Sequence, residues 1–215
     1  MLPPRPPRVK RAFDLLVGSL LLIVALPVML IVAVVVRAAL GTPVLFRHVR
    51  PGLHGDPFEM LKFRTMLDAR DSDGQLLPDA ARMTPLGRWL RRSSLDEIPE
   101  LINVLRGDMS IVGPRPLLMQ YLGRYTPRQA RRHETPPGIT GLAQVSGRNR
   151  LSWEERFELD VWYVDHWSLA LDLRILLRTG VRVIVGDGIS QPGHETAVEF
   201  QGTQQPPSPP HTGAA

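Results

Sequence analysis

The stretch from Leu15 to Val36 reads LLVGSLLLIVALPVMLIVAVVV and contains no charged residue. A helix rises about 1.5 Å per residue, so a straight helix of this length can cross a bilayer core about 30 Å thick. The run exceeds the usual apolar core of a secretory signal and lacks an A-x-A-like cleavage site. A buried soluble helix seldom continues this far without a polar residue. The stretch therefore predicts a helix embedded in a membrane.

Pro27 lies near the middle of this run, where a proline kinks or breaks a helix by removing a backbone donor. Both flanks of the run are basic. The flanking residues are Arg5, Arg8, Lys10 and Arg11 before it and Arg37, Arg47 and Arg50 after it. The positive-inside rule is satisfied at both ends if the segment enters from the cytoplasm, bends and returns. We predict a re-entrant helix broken at Pro27; a kinked spanning helix is the alternative.

The bulk composition points to partners that carry phosphate. The chain has 215 residues, a formal charge of +5 and a pI near 10.4. This balance suggests nucleic acid, anionic lipid head groups or nucleotides as partners. Nearly all the basic residues are arginines, whose planar fork suits phosphate, although an arginine-favouring codon usage explains the bias equally well. The chain has no cysteine, which excludes disulfides and thiolate zinc sites.

Beyond the apolar run the sequence predicts a mixed domain. The segment from Pro43 to Met66 is typical of two short strands joined by a Gly/Pro/Asp turn. Helical spacing of apolar residues follows around residues 86–105, and acids and aromatics favour another helix over 153–167. Residues 169–185 predict either an amphipathic helix on the membrane surface or a core helix followed by a strand.

The predicted fold class is α+β and mostly helical, with a small cytoplasmic catalytic domain and amphipathic interfacial helices after the re-entrant membrane helix. The expected domains are 1–43, a basic segment with the membrane helix, and 44–200, the catalytic domain. A Pro-rich tail over 201–215 is expected to be disordered.

The segment SSLDEIPELINVLRGD, from Ser93 to Asp108, places two acids before an amphipathic helix. Ser94 and Glu97 match a capping box, on which Asp96 and Glu97 only stabilise the helix start. Pro99 favours a start one or two residues after Leu95, because the proline then lies among the unpaired N–H groups. Asp96 and Glu97 would then lie at the helix mouth, where anions are favoured and both carboxylates stay ionised.

A phosphate held beside two carboxylates requires a cation, and Mg²⁺ bridging carboxylate and phosphate oxygens is the usual solution. Asp96 and Glu97 are therefore the predicted metal ligands. Several basic residues nearby are candidates for binding a diphosphate, although each alone is more typical of a solvated surface. These candidates are Lys62, Arg64, Arg88, Arg115 and Arg148.

Four segments in this order resemble one known family: KRAFDLL, FEMLKFRTM, TPLGRWLRRSSLDEIPELINVLRGDMSIVGPRP and PPGITGLAQVSGRN. They are similar to bacterial sugar transferases, the monotopic polyprenyl-phosphate phosphoglycosyl transferases, and to their small type. The resemblance covers about Lys10 to Gly186. One departure is Leu26 before Pro27, where the family often has serine, so the sharpness of the bend is open. Ala143 replaces a tryptophan common in larger members.

The resemblance implies transfer of a sugar phosphate from a UDP-sugar to undecaprenyl phosphate, with release of UMP. Asp96 would be the nucleophile that forms an aspartyl-phosphosugar intermediate, and Glu97 would help hold Mg²⁺. Arg115 would hold phosphate oxygens, with Lys62, Arg64 and Arg148 as further contacts. The implied location is the bacterial inner membrane, with the catalytic domain facing the cytoplasm and membrane lipids, but no nucleic acid, as partners. Neither the sugar nor the oligomeric state is predicted.

Two other classes of function compete with this one. A membrane-tethered basic protein that binds nucleic acid or anionic lipid fits the high pI, but the sequence has no helix-turn-helix, zinc or RNA-binding signature. A hydrolase of nucleotide sugars would use the same acids with water as acceptor. It would not require the apolar N-terminal segment, whereas a transferase with a lipid acceptor does.

Overall fold

The computed structural model describes residues 7–147, 151–185 and 199–202. A long N-terminal helix, α1 (Arg8–Leu40), lies against a domain of shorter helices and two small sheets. The elements after α1 are β1 (Leu45–Pro51), β2 (Pro57–Phe63), α2 (Asp79–Arg82), α3 (Pro85–Ser93), α4 (Glu100–Arg106), β3 (Ser110–Val112), α5 (Pro127–Ala130), β4 (Gly138–Thr140), α6 (Leu142–Ser146), α7 (Trp153–Asp165) and α8 (Leu169–Val185). Short 3-10 turns cover Leu53–Gly55, Leu95–Glu97, Met119–Arg124 and Arg131–Glu134.

Helix α1 is long and apolar enough to cross a membrane, judged by its length and composition. It continues through Pro27, so the break predicted at that residue is not present as an interruption of the helix. The physical reason is that an interior proline removes only one backbone bond, which a long apolar helix tolerates. The re-entrant course of the chain stays a prediction.

One face of α1 packs on the domain along the whole helix. Its buried positions recur at helical spacing: Lys10, Asp14, Gly18, Val32, Val36 and Leu40, with Leu22, Ala25 and Met29 partly buried between them. The other face exposes a row of large apolar side chains, including Leu16, Leu20, Ile23, Leu30 and Val34. An apolar surface of this extent marks an interaction site for a membrane or another apolar partner.

The predicted hairpin is confirmed. Strands β1 and β2 pair antiparallel, with Leu45 opposite Phe63 and Pro51 opposite Pro57. His54 adopts a positive φ of 58° in the connecting turn. Because side chains alternate along a strand, Lys62 faces away from its buried neighbours Leu61 and Phe63.

Helix α8 is a single helix over Leu169–Val185, so the alternative of a core helix followed by a strand is wrong. Its Asp172 and Ile175 are buried, whereas Leu173, Leu177 and Val181 are exposed. The main core joins this helix to α4, α6, α7 and the parallel pair β3–β4. At the end of the described chain, Phe200 is buried in an aromatic cluster with Tyr121 and Phe157, and residues 203–215 of the expected tail lie outside the described residues.

Candidate active site

The two acids of the DE pair lie in the joint between α3 and α4. Helix α3 ends at Ser94, which adopts the left-handed conformation with φ 57°, and a 3-10 turn over Leu95–Glu97 follows. Helix α4 begins only at Glu100, with Pro99 as its N-cap, which is later than the predicted start one or two residues after Leu95. The 3-10 turn takes up the residues between, and a proline at the N-cap costs the helix no backbone bond. The Ser94 side chain makes no capping bond to this turn, so the capping box is not formed. The acids therefore do not serve as a helix cap.

Glu97 is held by two cations. Lys62 Nζ lies 2.6 Å from Glu97 Oε1, and Arg115 donates to both carboxylate oxygens. Burial alone would raise the pKa of Glu97, but Arg115 and Lys62 outweigh burial and lower that pKa below its usual value. Glu97 in turn raises the pKa of Arg115. Glu97 thus stays ionised and fixes the positions of both cations.

Asp96 is in a different state from its neighbour. Its side chain is 7% exposed, and none of the described residues donates a hydrogen bond to its carboxylate. Burial, and then the charge of Glu97, raises its pKa to about 6. The carboxylate is therefore mainly ionised at pH 7, yet it is poorly solvated and unpaired. Such a group is a good nucleophile, because little solvation must be removed before it attacks.

Glu100 is a third acid of this site that the sequence analysis did not single out. Its side chain is 2% exposed, and Oε1 lies 3.2 Å from Lys62 Nζ without the geometry of a hydrogen bond. Burial, and then Glu97, raises its pKa to about 7. The spacing of the three acids in the sequence could have indicated that Glu100 joins the site, because residues three and four apart on a helix share a face. Glu100 follows Glu97 by three positions and Asp96 by four.

The predicted basic residues separate into two groups. Lys62 and Arg115 meet at Glu97, whereas Arg64 donates to the Thr42 carbonyl at 2.7 Å and Arg88 to the Met83 carbonyl at 3.3 Å. Neither Arg64 nor Arg88 lines the pocket beside the acids, and Arg148 lies outside the described residues. Arg91, three positions after Arg88 on α3, lines the pocket in its place. Arg88 donates to the Met83 carbonyl just before α3, whereas Arg91 donates to the Thr65 hydroxyl.

A pocket of about 580 Å³ opens beside Glu97. Four arginines contribute to its lining, namely Arg91, Arg115, Arg132 and Arg156. Apolar side chains also line it, among them Leu21, Val24 and Ala25 of α1 and Leu176 of α8. Glu97 is a lining residue, whereas Asp96 and Lys62 are not. The pocket thus combines arginines with an apolar wall to which the long helix α1 contributes.

The family model for bacterial sugar transferases matches residues 6–186 of this sequence. The chain belongs to the bacterial sugar transferase family. The resemblance read from the motifs is therefore confirmed, and the chain is an enzyme of the transferase class.

Three relatives illustrate this membership of the bacterial sugar transferase family. An uncharacterized sugar transferase, EpsL of Bacillus subtilis, is 58% identical over 90% of this chain and 96% of its own length. The exopolysaccharide production protein ExoY of Sinorhizobium fredii is 39% identical over 83% of this chain and 87% of its own length. A UDP-glucose:undecaprenyl-phosphate glucose-1-phosphate transferase of Klebsiella pneumoniae is 41% identical over 79% of this chain, but the match spans only 39% of that protein.

The oxygens of this sugar transferase site fit a magnesium ion. The Asp96 carboxylate accepts no hydrogen bond from a described residue, and Glu97 Oε2 has only a 3.5 Å contact with Arg115. Glu100 Oε1 is also buried without a hydrogen bond. Within the described ranges no group of three or more Asp, Glu, His or Cys side chains is placed to hold a metal. One or two carboxylates suffice for Mg²⁺, which keeps waters and takes phosphate oxygens as its other ligands.

Proposed function

We propose that the chain transfers a sugar phosphate from a UDP-sugar to undecaprenyl phosphate and releases UMP. The observation that carries this proposal is the buried Asp96, to which no described residue donates a hydrogen bond, next to Glu97 in a pocket lined by four arginines and by apolar residues of α1. The arginines suit a diphosphate, and the apolar wall suits a lipid acceptor. The names of the Klebsiella and Sinorhizobium relatives support the same substrates and a role in exopolysaccharide production.

In the first step, an oxygen of Asp96 attacks the phosphorus that bears the sugar. The bond from that phosphorus to the bridging oxygen breaks, and UMP leaves with the bonding electrons. No base is needed, because Asp96 is mainly ionised at pH 7 with a pKa of about 6. Arg115, fixed by Glu97, is placed to hold oxygens of the transferring group.

In the second step, an oxygen of the lipid phosphate attacks the phosphorus of the aspartyl-phosphosugar. The bond between phosphorus and Asp96 breaks, which regenerates the carboxylate and yields undecaprenyl-diphosphate-sugar. Two displacements at one phosphorus give a ping-pong cycle, and each has a lower barrier than direct transfer between two anions. Glu97 stays paired with Lys62 and Arg115 in both steps.

Asp96 and Glu97 would hold Mg²⁺, with Glu100 beside them. When bound, the ion neutralises charge on the transferring phosphoryl group and on the leaving phosphate. Thorough chelation with EDTA is therefore expected to abolish UMP release, and added Mg²⁺ is expected to restore it. Turnover that persists after chelation would remove the metal from the proposal.

The packing of α1 supports a re-entrant course in the inner membrane, with the domain on the cytoplasmic side. Lys10 near its start bonds Asp172 of α8, while Leu40 at its end packs with Phe63 and Leu90 of the same domain. A simple span would place these two ends on opposite sides of the bilayer. Cysteines introduced singly at Val9 and Val49, each 49% exposed, are expected to react with an impermeant thiol reagent from the same side. Labelling from opposite sides would show a span instead.

The transfer itself is tested with the full-length protein in detergent or nanodiscs. A panel of UDP-sugars is supplied with undecaprenyl phosphate, and UMP release and the lipid product are measured. The same protein is incubated with donor and no acceptor, digested and weighed. A peptide that contains Asp96 is expected to gain one sugar phosphate. Release of UMP without any such adduct would contradict the covalent step, and no release from any UDP-sugar would contradict the donor class.

A further inference from the structure

Three of the four arginines that line the pocket are already bonded to other parts of the protein. Arg115 pairs with Glu97, and Arg132 donates twice to Asp160, at 3.0 and 2.7 Å. Arg91 donates to the Thr65 hydroxyl at 3.1 Å. The fourth is Arg156 of α7, and among the described residues no acceptor is hydrogen-bonded to it.

The side chain of Arg156 is nevertheless held in place. Its guanidinium carbon lies 4.8 Å from the centre of the Trp153 ring, which also lines the pocket. Arg156 Nε is buried and has no hydrogen-bond partner. Asp160, one turn further along α7, is the natural ion-pair partner, but its bonded oxygen already accepts two bonds from Arg132. Burial lowers the pKa of Arg156, the nearby charge of Asp160 opposes this without reversing it, and the charge of Arg115 lowers the pKa further.

A cation that is stacked, partly desolvated and unpaired is costly unless a ligand neutralises it. In this pocket the expected ligands of the proposed function carry phosphate, and arginine binds phosphate through paired N–H groups. We propose that Arg156, held against Trp153, is a phosphate-binding residue of the pocket. This inference rests on the proposed function and adds a residue that none of the motif arguments included.

Two sources can supply the phosphate: the diphosphate of the donor and the phosphate of the lipid acceptor. In an in-line displacement the attacking and leaving oxygens lie on opposite faces of the phosphorus. The group that is exchanged with Asp96 therefore lies on the face opposite Asp96 in both steps. UMP leaves from that face, and the lipid phosphate must attack from it. Arg156 is therefore expected to contact the leaving phosphate in the first step and the attacking phosphate in the second.

The test compares Arg156→Met with Arg128→Met in the full-length protein. Arg128 is an exposed arginine paired with Glu158, so its loss removes the same charge outside the pocket. UMP release in a single turnover without acceptor reports the first step, and transfer from the preformed intermediate to undecaprenyl phosphate reports the second. Each step is expected to slow about 10- to 100-fold in Arg156→Met, the usual effect of losing a charged hydrogen bond. Arg128→Met is expected to stay within about twofold of wild type.

The outcomes separate the sources of phosphate. Slowing of both steps supports one subsite used in succession. Slowing of UMP release alone assigns Arg156 to the donor, and slowing of lipid transfer alone assigns it to the acceptor. Arg156→Lys, which keeps the charge without the planar stacking group, is expected to recover part of the rate. Rates of Arg156→Met that match those of Arg128→Met in both steps would overturn the inference.

A binding measurement tests phosphate binding by Arg156 independently of the proposed transfer reaction. Titration of the detergent-solubilised protein with UMP and with inorganic pyrophosphate needs no turnover. Arg156→Met is expected to weaken both ligands about tenfold or more, while melting of the protein is unchanged. If wild type binds these ligands more tightly than Arg156→Met but transfers no sugar phosphate, the proposed reaction is wrong, whereas the assignment of Arg156 as a phosphate-binding residue is supported. If binding is equal in Arg156→Met and wild type, the phosphate site itself is wrong.

Discussion

The two lysines of this chain, Lys10 and Lys62, lie in two buried charge clusters that differ in how completely they are bonded. Lys10 Nζ, 1% exposed, bonds the Val112 carbonyl, the Tyr163 hydroxyl and Asp172 at 3.0, 3.1 and 2.8 Å. Trp167 Nε1 also donates to Asp172 at 3.0 Å. Each of the three ammonium hydrogens therefore has an acceptor.

The Lys62 cluster is left incomplete. Lys62 bonds Glu97, but Glu100 Oε1 nearby has no hydrogen bond and the Asp96 carboxylate accepts none from the described residues. In the low dielectric of a protein interior, a hydrogen-bond network in which every group has a partner is rigid. A buried polar group left without a partner costs free energy of folding. The Lys10 cluster therefore fastens α1 to the domain, whereas the Lys62 cluster keeps oxygens available for a ligand.

The sharpest test of this contrast is Asp96→Asn. We expect UMP release to fall by roughly 10³-fold or more, because an amide oxygen cannot form the intermediate. Folding should be unaffected, since no described residue bonds this carboxylate. UMP release and thermal melting are measured together, with Asp68→Asn at an exposed acid as the control. Wild-type release by the Asp96 variant would show that this carboxylate is not the nucleophile.

Lys10→Met tests the other cluster. It leaves Asp172 as a buried charge with only neutral donors, Tyr163 and Trp167. Breaking one side of a buried ion pair costs about 3–5 kcal/mol in the free energy of unfolding. Melting in detergent reports this loss, and adding Asp172→Asn is expected to recover part of it. A stable but inactive Lys10→Met protein would reverse the roles that we assign to the two clusters.

Lys62→Met is expected to affect activity more than stability. Glu97 keeps Arg115 as a partner, and Glu100, whose pKa is about 7, can take up a proton, so the melting temperature is expected to change little. UMP release is expected to fall about 10- to 100-fold, because Glu97 and Glu100 lose the cation that holds both. The comparison with Lys10→Met is made on the same two readouts. Strong destabilisation without loss of activity per folded molecule would contradict a catalytic role for this cluster.

The smallest expected effect is a pH dependence of the first step. Asp96 must be ionised to attack, and its pKa is raised to about 6. At limiting Mg²⁺, where the proton and the metal compete for this carboxylate, the single-turnover rate of UMP release is therefore expected to rise between pH 5 and 7 and to level off above. An ordinary aspartate would already be ionised throughout this range. Glu100→Gln should preserve the inflection; if it disappears in that variant, the titrating group is Glu100, whose pKa is about 7.

Local patterns were sufficient to predict several features. The uninterrupted apolar run predicted α1, and the turn residues between two alternating segments predicted the hairpin. Pro99 predicted that a helix starts near it, but the observed start at Glu100 is later than predicted. The pair Asp96 and Glu97 stood out for the same reason, because helix starts and prolines follow from backbone bonding within a few residues.

The tertiary structure decided which charges meet. Asp172 is 162 positions from Lys10 in the chain, and Glu97 is 35 positions from Lys62. No pattern within a short segment of sequence can therefore predict either ion pair. The same holds for the absence of Arg64 from the pocket lining and for Arg156, which has no hydrogen-bond acceptor among the described residues. Sequence determined which segments are apolar and much of which segments become helix and strand, since those depend on neighbours along the chain. Whether a charge is satisfied or left for a ligand depends on what packs against it, and only the folded chain sets that.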